Sequence, residues 1–340
     1  MKKHYRIAVV GATGAVGQEM LRILDSRDFP IEEIRCFASP NSAGKSLFFR
    51  GKKISLQTLD NSSFKDLDIV LFSAGKKISL EFAPKAVQEG AVVIDNSSGF
   101  RMCPEVPLVI PEVNPEALLQ HKGIIASPNC TATILLTALA PLHRLFQIKR
   151  MILSTYQAAS GAGATAMHEL QEETKAFLSK EPFQRTVMPH PYAFNLFLHN
   201  APMTDDNYNE EESKVIEEAR KILQEPALPI AVTCVRVPIL RAHSESINAE
   251  FHKPITADTA RSILAKAPGI TLLEDWKSNR FPMPSDASFQ DNIFVGRIRN
   301  DLSQKNTLDL WVVGDQLLKG AALNAVQIAE MLVASEIMQN

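Results

Sequence analysis

Short apolar runs alternate with amphipathic segments along the first 130 residues of the chain. The runs are rich in Val and Ile and end in small or polar residues: YRIAVVG, EEIRCFAS, LDIVLFSA, AVVIDNSS and GIIASPN. Two segments between them have helical spacing, AVGQEMLRILDS and KKISLEFAPKAVQEG. Continuous apolar strands that alternate with helices predict an α/β fold with a Rossmann-type parallel sheet. Ligands of such sheets bind beyond the carboxyl ends of the strands.

The pattern changes from about residue 149 onward. Several segments have period-2 alternation, as where Ile247, Ala249 and Phe251 alternate with polar neighbours. This alternation predicts a mostly antiparallel sheet with one covered face. Helical segments interrupt the strands, and they predict an α+β fold for this part: GATAMHELQEETKAFL, NEEESKVIEEARKILQ and TADTARSILAKA.

A chain of 340 residues is too long for one compact core, so two domains are expected. We predict a first domain in residues 1–129 and a second in residues 130–318. The final segment, 319–340, is predicted to be a long apolar helix that returns to the first domain.

Charge and cysteine content narrow the class of protein. The 36 basic and 38 acidic side chains leave a net charge of −2, which gives no electrostatic case for binding nucleic acid or an anionic membrane. No run of about 18 apolar residues occurs, and the N-terminus resembles a first strand rather than a signal peptide. The four cysteines lack the spacing of a zinc site or a disulfide framework, so no metal is predicted and the cytoplasm is the expected compartment.

The segment GATGAVG follows the first strand and opens a helix. Gly11, Gly14 and Gly17 permit a tight turn, and the helix N-terminus offers N–H groups to a pyrophosphate. This context predicts dinucleotide binding, against the alternative of a merely tight strand-helix turn.

The second strand ends FASPNSAGK, without the carboxylate that usually binds the ribose 2′-hydroxyl of NAD. Ser39, Asn41, Ser42 and Lys45 provide hydrogen-bond donors that suit the 2′-phosphate of NADP. An ordinary polar loop is the alternative.

Cys130, in ASPNCTAT, lies where a short strand gives way to a helix. A helix N-terminus stabilises a thiolate, and the position shares a sheet edge with the glycine-rich loop. The interpretation as a nucleophile competes with that of a small buried residue. Cys36 and Cys234 lie in apolar strands and are predicted to belong to the core, whereas Cys103 has no evident role.

A nucleophilic cysteine beside a nicotinamide indicates aldehyde chemistry through a thioester, with a histidine as acid or base. The spacing of the eight histidines does not select one of them. His243 follows Arg236 by seven residues, and an arginine on a strand can clamp a carboxylate. The acidic run from Asp205 to Glu212 is expected to be a solvated loop and helix start.

Six motifs resemble the bacterial aspartate-β-semialdehyde dehydrogenases: GATGAVG, NSSGFR, SPNCTAT, YQAASGAG, CVRVPILRAHSE and GAALNAVQIAE. The resemblance runs in order from residue 6 to about residue 332. Related dehydrogenases of glyceraldehyde 3-phosphate and N-acetylglutamyl phosphate share the mechanism, but they do not usually combine YQAASGAG with RVPxxRxHSE.

The resemblance implies a role for each matching residue. Cys130 would be the nucleophile, His243 the acid/base and Gln157 the residue that orients the substrate. Four further residues would bind the substrate: Arg236 its α-carboxylate, Glu211 its ammonium, and Arg101 and Lys214 the phosphate. The acidic run thereby gains a functional residue in Glu211.

The resemblance also implies a cofactor site and two departures from the family. The residues that would line it are Gly11, Thr13, Gly14, Ala15, Val16, Ser160 and Gly161. Asn41 stands where many relatives have Arg for the 2′-phosphate. Gln316 stands where relatives commonly have an Asn that reaches the nicotinamide amide.

The implied reaction is NADPH-dependent reduction of L-aspartyl 4-phosphate to aspartate semialdehyde and phosphate, at the branch toward lysine, threonine and methionine. The implied assembly is a homodimer whose interface belongs to the second, catalytic domain. An acyl-phosphate reductase for another substrate and a non-catalytic NADP-binding sensor are the alternatives.

Overall fold

The computed structural model of the chain describes residues 4–60 and 63–335. These residues divide into two compact units. One unit contains the chain up to Asn129 and the segment that begins at Ala321, and the other spans Cys130–Gly320.

The elements of the first unit are, in chain order, β1 (Tyr5–Val10), α1 (Ala15–Ser26), β2 (Ile31–Phe37), β3 (Ser46–Phe49), β4 (Lys52–Gln57), β5 (Ile69–Phe72), α2 (Lys76–Gln88), β6 (Val92–Asp95) and β7 (Ile124–Ala126). Among the described residues its strands form one sheet with the order β3-β4-β2-β1-β5-β6-β7. All neighbouring strands are parallel except β3 and β4.

The central strands of this sheet are short and almost wholly buried. Every residue of β5 is buried, as are all but one of β1 and of β6. Burial of successive residues means that both faces are covered, which is why these strands read as continuous apolar runs. β1 lies between β2 and β5, so the strand order reverses at its carboxyl end, where a parallel sheet opens a crevice.

The elements of the second unit are, in chain order, α3 (Cys130–Phe146), β8 (Ile148–Gln157), α4 (Ala164–Ser179), β9 (Phe197–Leu198), α5 (Glu210–Leu223), β10 (Ile230–Arg236), β11 (His243–Phe251), α6 (Ala257–Leu264), β12 (Ile270–Leu272), α7 (Pro284–Ala287), β13 (Ile293–Asn300) and β14 (Thr307–Gly314). In the described part of the chain its strands form a mixed, mostly antiparallel sheet with the order β12-β13-β14-β11-β8-β10-β9. Only β8 with β10 and β12 with β13 are parallel among these pairs.

One face of this sheet is covered by helices. In β8, Met151, Leu153, Thr155 and Gln157 are buried, whereas the residues between them are exposed or half-buried. The same alternation places His243 and the other odd-numbered residues of β11 on the covered face. Helix α3 is apolar nearly all round, which is typical of a helix buried in a core.

The chain leaves the second unit through a π-helical turn, Leu318–Ala322, and continues as α8, Leu323–Ala334. Within the first unit α8 contacts α1 and β6. The prediction of a helix to residue 340 includes residues 336–340, which lie outside the described residues. The predicted fold class, a parallel dinucleotide-binding sheet and a mostly antiparallel α+β sheet, is confirmed.

Candidate active site

The glycine-rich turn of the first unit leads from β1 into α1. Gly11 has a φ of +86°, and a methyl group added there would lie 2.8 Å from the carbonyl oxygen of Ser73. A methyl group on Gly17 would lie 2.2 Å from the carbonyl oxygen of Gly11. The turn therefore requires glycine at both positions, and α1 begins directly after Gly14 with its N-terminal N–H groups toward the sheet edge.

A cavity of about 330 Å³ adjoins this turn. Its walls are mostly apolar, and its lining includes Gly11, Phe37, Ser39, Ile78 and Phe82. An apolar cleft beside a helix N-terminus fits the flat base and the pyrophosphate of a dinucleotide.

The loop after β2 forms the rim of that cavity. Pro40–Ser42 is a single 3₁₀ turn closed by a hydrogen bond from the Ser42 N–H to the Ser39 carbonyl oxygen. Ser39 and Asn41 are exposed and Ser42 is half-buried. The turn thus presents hydroxyl and amide groups to solvent and carries no carboxylate.

Arg101 is buried at the carboxyl end of the parallel sheet, with 8% of its surface exposed. Its Nε donates to the carbonyl oxygen of Ser127 at 3.0 Å, and its Nη2 donates to that of Asn96 at 2.8 Å. These two bonds to backbone carbonyl oxygens fix the orientation of the guanidinium.

Cys130 is the first residue of α3 and is half-buried. It lies against the π-helical turn, because a methyl group added at Gly320 would be 2.8 Å from the Cβ of Cys130. The positive end of the α3 dipole favours the thiolate form. By contrast, burial raises the pKa of Cys36 to about 12 and raises that of Cys234 as well. The prediction that these two cysteines belong to the core is confirmed.

Gln157 ends β8 beside the start of α3. Its Nε2 donates to Thr131 Oγ1 and to Glu211 Oε1, both at 3.0 Å. Its Oε1 is buried and has no hydrogen-bond partner among the described residues. The amide is therefore held by two protein acceptors, while its oxygen is available to a donor on a ligand.

Glu211 is placed by the start of α5. Asn209 and Glu212 form a capping box, in which each side chain accepts from the backbone N–H of the other. Glu212 also accepts from the Cys234 N–H at 2.9 Å. Lys214 lies one helical turn after Glu210, and its Nζ is 3.7 Å from Glu210 Oε2. The expectation that the whole acidic run is solvated is wrong for Glu211 and Glu212, which are buried because backbone and amide donors solvate their carboxylates.

Arg236 ends β10 with 4% of its surface exposed. Its Nη1 donates to the Ala158 carbonyl oxygen at 3.3 Å, and its Nη2 lies 2.6 Å from His199 Nε2. The buried Nε has no hydrogen-bond partner in the described part of the chain. A buried guanidinium whose hydrogen-bonded neighbours are a carbonyl and an imidazole favours an anionic ligand, since a buried cation is costly without a counter-charge.

His243 begins β11 and is completely buried. The Ala158 N–H donates to its Nδ1 at 3.0 Å, so the ring proton of a neutral imidazole resides on Nε2. Burial, followed by the positive charge of Arg236, lowers the pKa of His243 to about 3. The imidazole is therefore neutral near pH 7, and its Nε2 has no partner among residues 4–60 and 63–335.

Gly161 brings the arginine and the histidine together. A methyl group added there would lie 3.0 Å from Arg236 Nη1 and 3.1 Å from His243 Nε2. The absence of a side chain at Gly161 thus allows its backbone to lie close to a cation and to a proton donor.

Gln316, predicted to reach the nicotinamide, is buried between two loops. Its Oε1 accepts from the Ala242 N–H at 2.9 Å, and its Nε2 donates to Ser160 Oγ. Ala242 has a φ of +70°, a strained conformation immediately before His243. Each end of the amide already has one protein partner, and the role of Gln316 toward the cofactor stays a prediction.

Two groups of this site were not identified from the sequence. His199 contacts Arg236 across 37 positions of the chain. Glu245 follows His243 on the covered face of the sheet, opposite Thr155 of β8. No periodicity or short motif signals the first contact, because it depends on how the edge strand β9 pairs with β10.

Glu245 is completely buried, and neither carboxyl oxygen has a hydrogen-bond partner among the described residues. Burial raises its pKa well above the ordinary value of 4.5. Above that value the unfolded chain releases the proton while the folded protein keeps it, so stability falls as the pH rises toward the folded-state pKa. Each pH unit in this window costs up to about 1.4 kcal/mol.

We therefore expect Glu245→Gln, compared with the unmodified protein, to become progressively more stabilising from pH 5 to pH 8. Thermal unfolding of both proteins across this range measures the difference. Glu250→Gln is the matched control on the same strand, because the Glu250 carboxylate is paired with Lys149 at 2.6 Å and its removal should destabilise. A Glu245→Gln effect that does not change with pH would contradict the assignment of a neutral carboxyl group.

None of the helices in residues 4–60 and 63–335 is long and apolar enough to cross a membrane. Likewise, no three His, Cys, Asp or Glu side chains in that part of the chain are arranged to hold a metal ion.

Comparison with known proteins matches both units. A family model described as "Semialdehyde dehydrogenase, NAD binding domain" matches residues 6–121, and one described as "Semialdehyde dehydrogenase, dimerisation domain" matches residues 139–319. The aspartate-semialdehyde dehydrogenase of Synechocystis sp. is 54% identical over 98% of each chain. That of Aquifex aeolicus is 47% identical over 97% of this chain and 98% of its own.

Solved structures agree with these relatives. Aspartate semialdehyde dehydrogenase II from Vibrio cholerae, complexed with ASA, superposes with a TM-score of 0.94 at 40% identity, covering 98% of this chain and 99% of that one. The fold and the matching models define a dehydrogenase with an NAD(P)-binding domain. At this level of identity over nearly the full length, the chain belongs to the aspartate-semialdehyde dehydrogenase family.

Proposed function

We propose that the protein is an aspartate-semialdehyde dehydrogenase that reduces L-aspartyl 4-phosphate to L-aspartate 4-semialdehyde and phosphate with NADPH. The observation that carries the proposal is the pair of groups that lie close to Gly161: a buried guanidinium and a neutral imidazole that donates from Nε2. This pairing suits a substrate with a carboxylate at one end and a reacting carbonyl at the other.

The substrate's amino-acid end would be bound by opposite charges. Arg236 supplies a planar guanidinium for the α-carboxylate, and Glu211 supplies a buried carboxylate for the ammonium group. Gln157 is tied to Glu211 at 3.0 Å and to the residue after Cys130, so its amide links the ammonium site to the nucleophile. Arg101 and Lys214 are proposed to bind the phosphate.

In the proposed reaction, Cys130 Sγ adds to the acyl carbon. The bond from that carbon to the phosphate oxygen breaks, phosphate leaves with the electron pair, and a thioester forms. His243, the proposed acid/base, donates a hydrogen bond from Nε2 to the carbonyl oxygen while the carbon is tetrahedral, which stabilises the negative charge on that oxygen until the double bond reforms. When bound, the cofactor supplies the hydride that reduces the thioester. Breakage of the carbon–sulfur bond then returns the thiolate and releases the semialdehyde.

The residues around the cavity beside the glycine-rich turn fit a dinucleotide. The turn from Gly11 to Gly14 would hold the pyrophosphate at the N-terminus of α1, together with Thr13, Ala15 and Val16. Ser160 and Gly161 are proposed to line the nicotinamide end. The loop after β2 favours NADP over NAD, because Ser39, Asn41, Ser42 and Lys45 donate and nothing in that loop repels a phosphate.

The NADP preference is expected to be smaller than in relatives with Arg at position 41, because the neutral amide of Asn41 replaces a charged contact. Loss of the charged contact to the 2′-phosphate weakens NADP binding by about 1–3 kcal/mol. We expect Asn41→Arg to increase the ratio of kcat/KM for NADP to kcat/KM for NAD, measured with both cofactors in both proteins. Asn41→Gln, which lengthens the side chain without a charge, is the control and should leave the ratio close to its original value. A preference for NAD in the unmodified enzyme would contradict the assignment of NADP.

A homodimer formed through the second unit and a cytoplasmic location complete the proposal. The family model that matches residues 139–319 is described as a dimerisation domain, which supports the former. The proposed division of labour is cofactor binding by residues 1–129 with 319–340, and catalysis and dimerisation by residues 130–318.

The function is tested by a phosphate-dependent assay of NADP reduction with aspartate semialdehyde as the substrate. We expect turnover that requires phosphate, with little turnover of N-acetylglutamate semialdehyde, whose acylated nitrogen carries no charge for Glu211. Preference for the acetylated substrate would favour the paralogous acyl-phosphate reductase. NADP binding without turnover of either substrate would favour a sensor.

A further inference from the structure

The segment that carries His199 is fixed along the edge of the second sheet. Phe197–Leu198 forms β9 and pairs with the end of β10. The His199 N–H donates to the Cys234 carbonyl oxygen at 2.8 Å, and Asn209 Nδ2 donates to the His199 carbonyl oxygen at 3.4 Å. This backbone pairing places the half-buried imidazole beside the Arg236 guanidinium.

The contacts of the imidazole define its protonation. Nε2 lies 2.6 Å from Arg236 Nη2, and the Ala201 N–H points at Nδ1 from 3.2 Å. A guanidinium only donates, and a neutral imidazole has one accepting nitrogen. The shorter, charge-assisted contact is the stronger one, so we assign Nε2 as the acceptor of the hydrogen bond from Arg236. Burial and then the charge of Arg236 lower the pKa of His199 to about 4, which keeps the ring neutral near pH 7.

Together these contacts hold the guanidinium at two of its three nitrogens. The Ala158 carbonyl oxygen accepts from Nη1 at 3.3 Å, and His199 accepts from Nη2. Both acceptors are neutral, so neither of them offsets the cationic charge. The fixed plane matters because a two-point bond to a carboxylate requires the fork to be oriented before the ligand arrives, and an arginine side chain loses conformational entropy when it is ordered.

We propose that His199 is a positioning residue that orients Arg236 for the α-carboxylate of the substrate, an inference that rests on the proposed function. His199 itself acts through the guanidinium and touches neither the reacting carbon nor the sulfur. Its loss therefore weakens binding of the carboxylate-bearing substrate and leaves the chemical step largely intact.

The test compares His199→Ala with His199→Gln in the phosphate-dependent assay. We expect His199→Ala to raise KM for aspartate semialdehyde about tenfold, with kcat within about threefold and KM for phosphate unchanged, because one of two orienting hydrogen bonds is lost. Glutamine can place its Oε1 near the former Nε2 position, so His199→Gln should recover most of the affinity. His190→Ala is the matched control, because the exposed His190 ring packs on Phe197 at 5.3 Å between centroids without an observed contact to Arg236 among the described residues.

The outcomes separate this proposal from the proposed function. An unmodified enzyme without phosphate-dependent turnover would overturn the proposed function and the role of His199 with it. In an active enzyme, an unchanged KM in His199→Ala would overturn only the role of His199. The role of His199 would also be overturned if His199→Ala raised KM for phosphate as much as KM for aspartate semialdehyde, or if His199→Gln failed to restore substrate binding. Either result would indicate a general structural role for His199.

Discussion

Cys130→Ala is expected to lose turnover by at least about 10⁴-fold, the scale seen when a covalent nucleophile is removed from an enzyme. Without the sulfur no thioester forms, and the other cysteine of the second unit, Cys234, is buried and its thiol is kept protonated by that burial. The rate of phosphate-dependent NADP reduction measures the loss. Binding of NADP, followed by fluorescence or calorimetry, should stay within about twofold, because the glycine-rich turn is untouched.

Chemical labelling gives an independent test of the same residue. Iodoacetamide reacts with thiolates, and burial keeps Cys36 and Cys234 protonated. Cys130 should therefore be labelled first, and its labelling should run parallel to inactivation. Cys103→Ala is the matched control, as this half-buried cysteine lies in a loop of the first unit. Substantial turnover in Cys130→Ala, or inactivation that requires Cys103, would refute the assignment.

The parallel sheet was predictable from the sequence because each of its central strands is a recognisable apolar run. Strands buried on both faces, such as β5, are continuous apolar runs, and the turn after β1 demands glycine for steric reasons that the sequence displays. The hairpin of β3 and β4 was not predicted. Most of its residues are exposed, and 75% of the Phe48 surface is accessible to solvent. In β3, apolar and polar residues therefore do not alternate with the period of two that marks a half-buried strand.

The site was predictable where its residues lie at the ends of strands. Arg236 and His243 end one strand and begin the next, so a single motif of the sequence contains both. The contacts that determine the tautomer of His243 and the orientation of Arg236 were not predictable in this way. The Ala158 N–H that sets the His243 tautomer and the His199 ring that faces Arg236 come from distant segments, and only the pairing of β8, β9, β10 and β11 brings them near.

Burial of the acidic residues shows the same limit. A run of carboxylates indicates a solvated surface when only composition is considered. Glu212 is nevertheless buried, because its two oxygens accept backbone N–H groups from Asn209 and Cys234. The sequence contains the Asn209–Glu212 capping pair, but the second donor, the Cys234 N–H, is supplied by a strand that follows only after the helix.

His243→Asn is expected to lower kcat by about 10²–10⁴-fold with a much smaller change in KM for aspartate semialdehyde, since general acid–base catalysis contributes on that scale. Asparagine is chosen because its Oδ1 can still accept the Ala158 N–H that now bonds Nδ1, so the loop should keep its place. What is lost is the Nε2 proton, the group that faces the space beside Gly161.

Arg236→Lys provides the matched comparison, because it keeps a positive charge and loses the planar fork. It should raise KM for the semialdehyde strongly and lower kcat less, which is the reverse of the His243→Asn pattern. Steady-state kinetics of the three proteins at saturating phosphate and NADP separate the two roles. If both variants lowered kcat and raised KM in the same proportion, the arginine and the histidine would act as one structural unit, and the assignment of the acid/base role to His243 would fail.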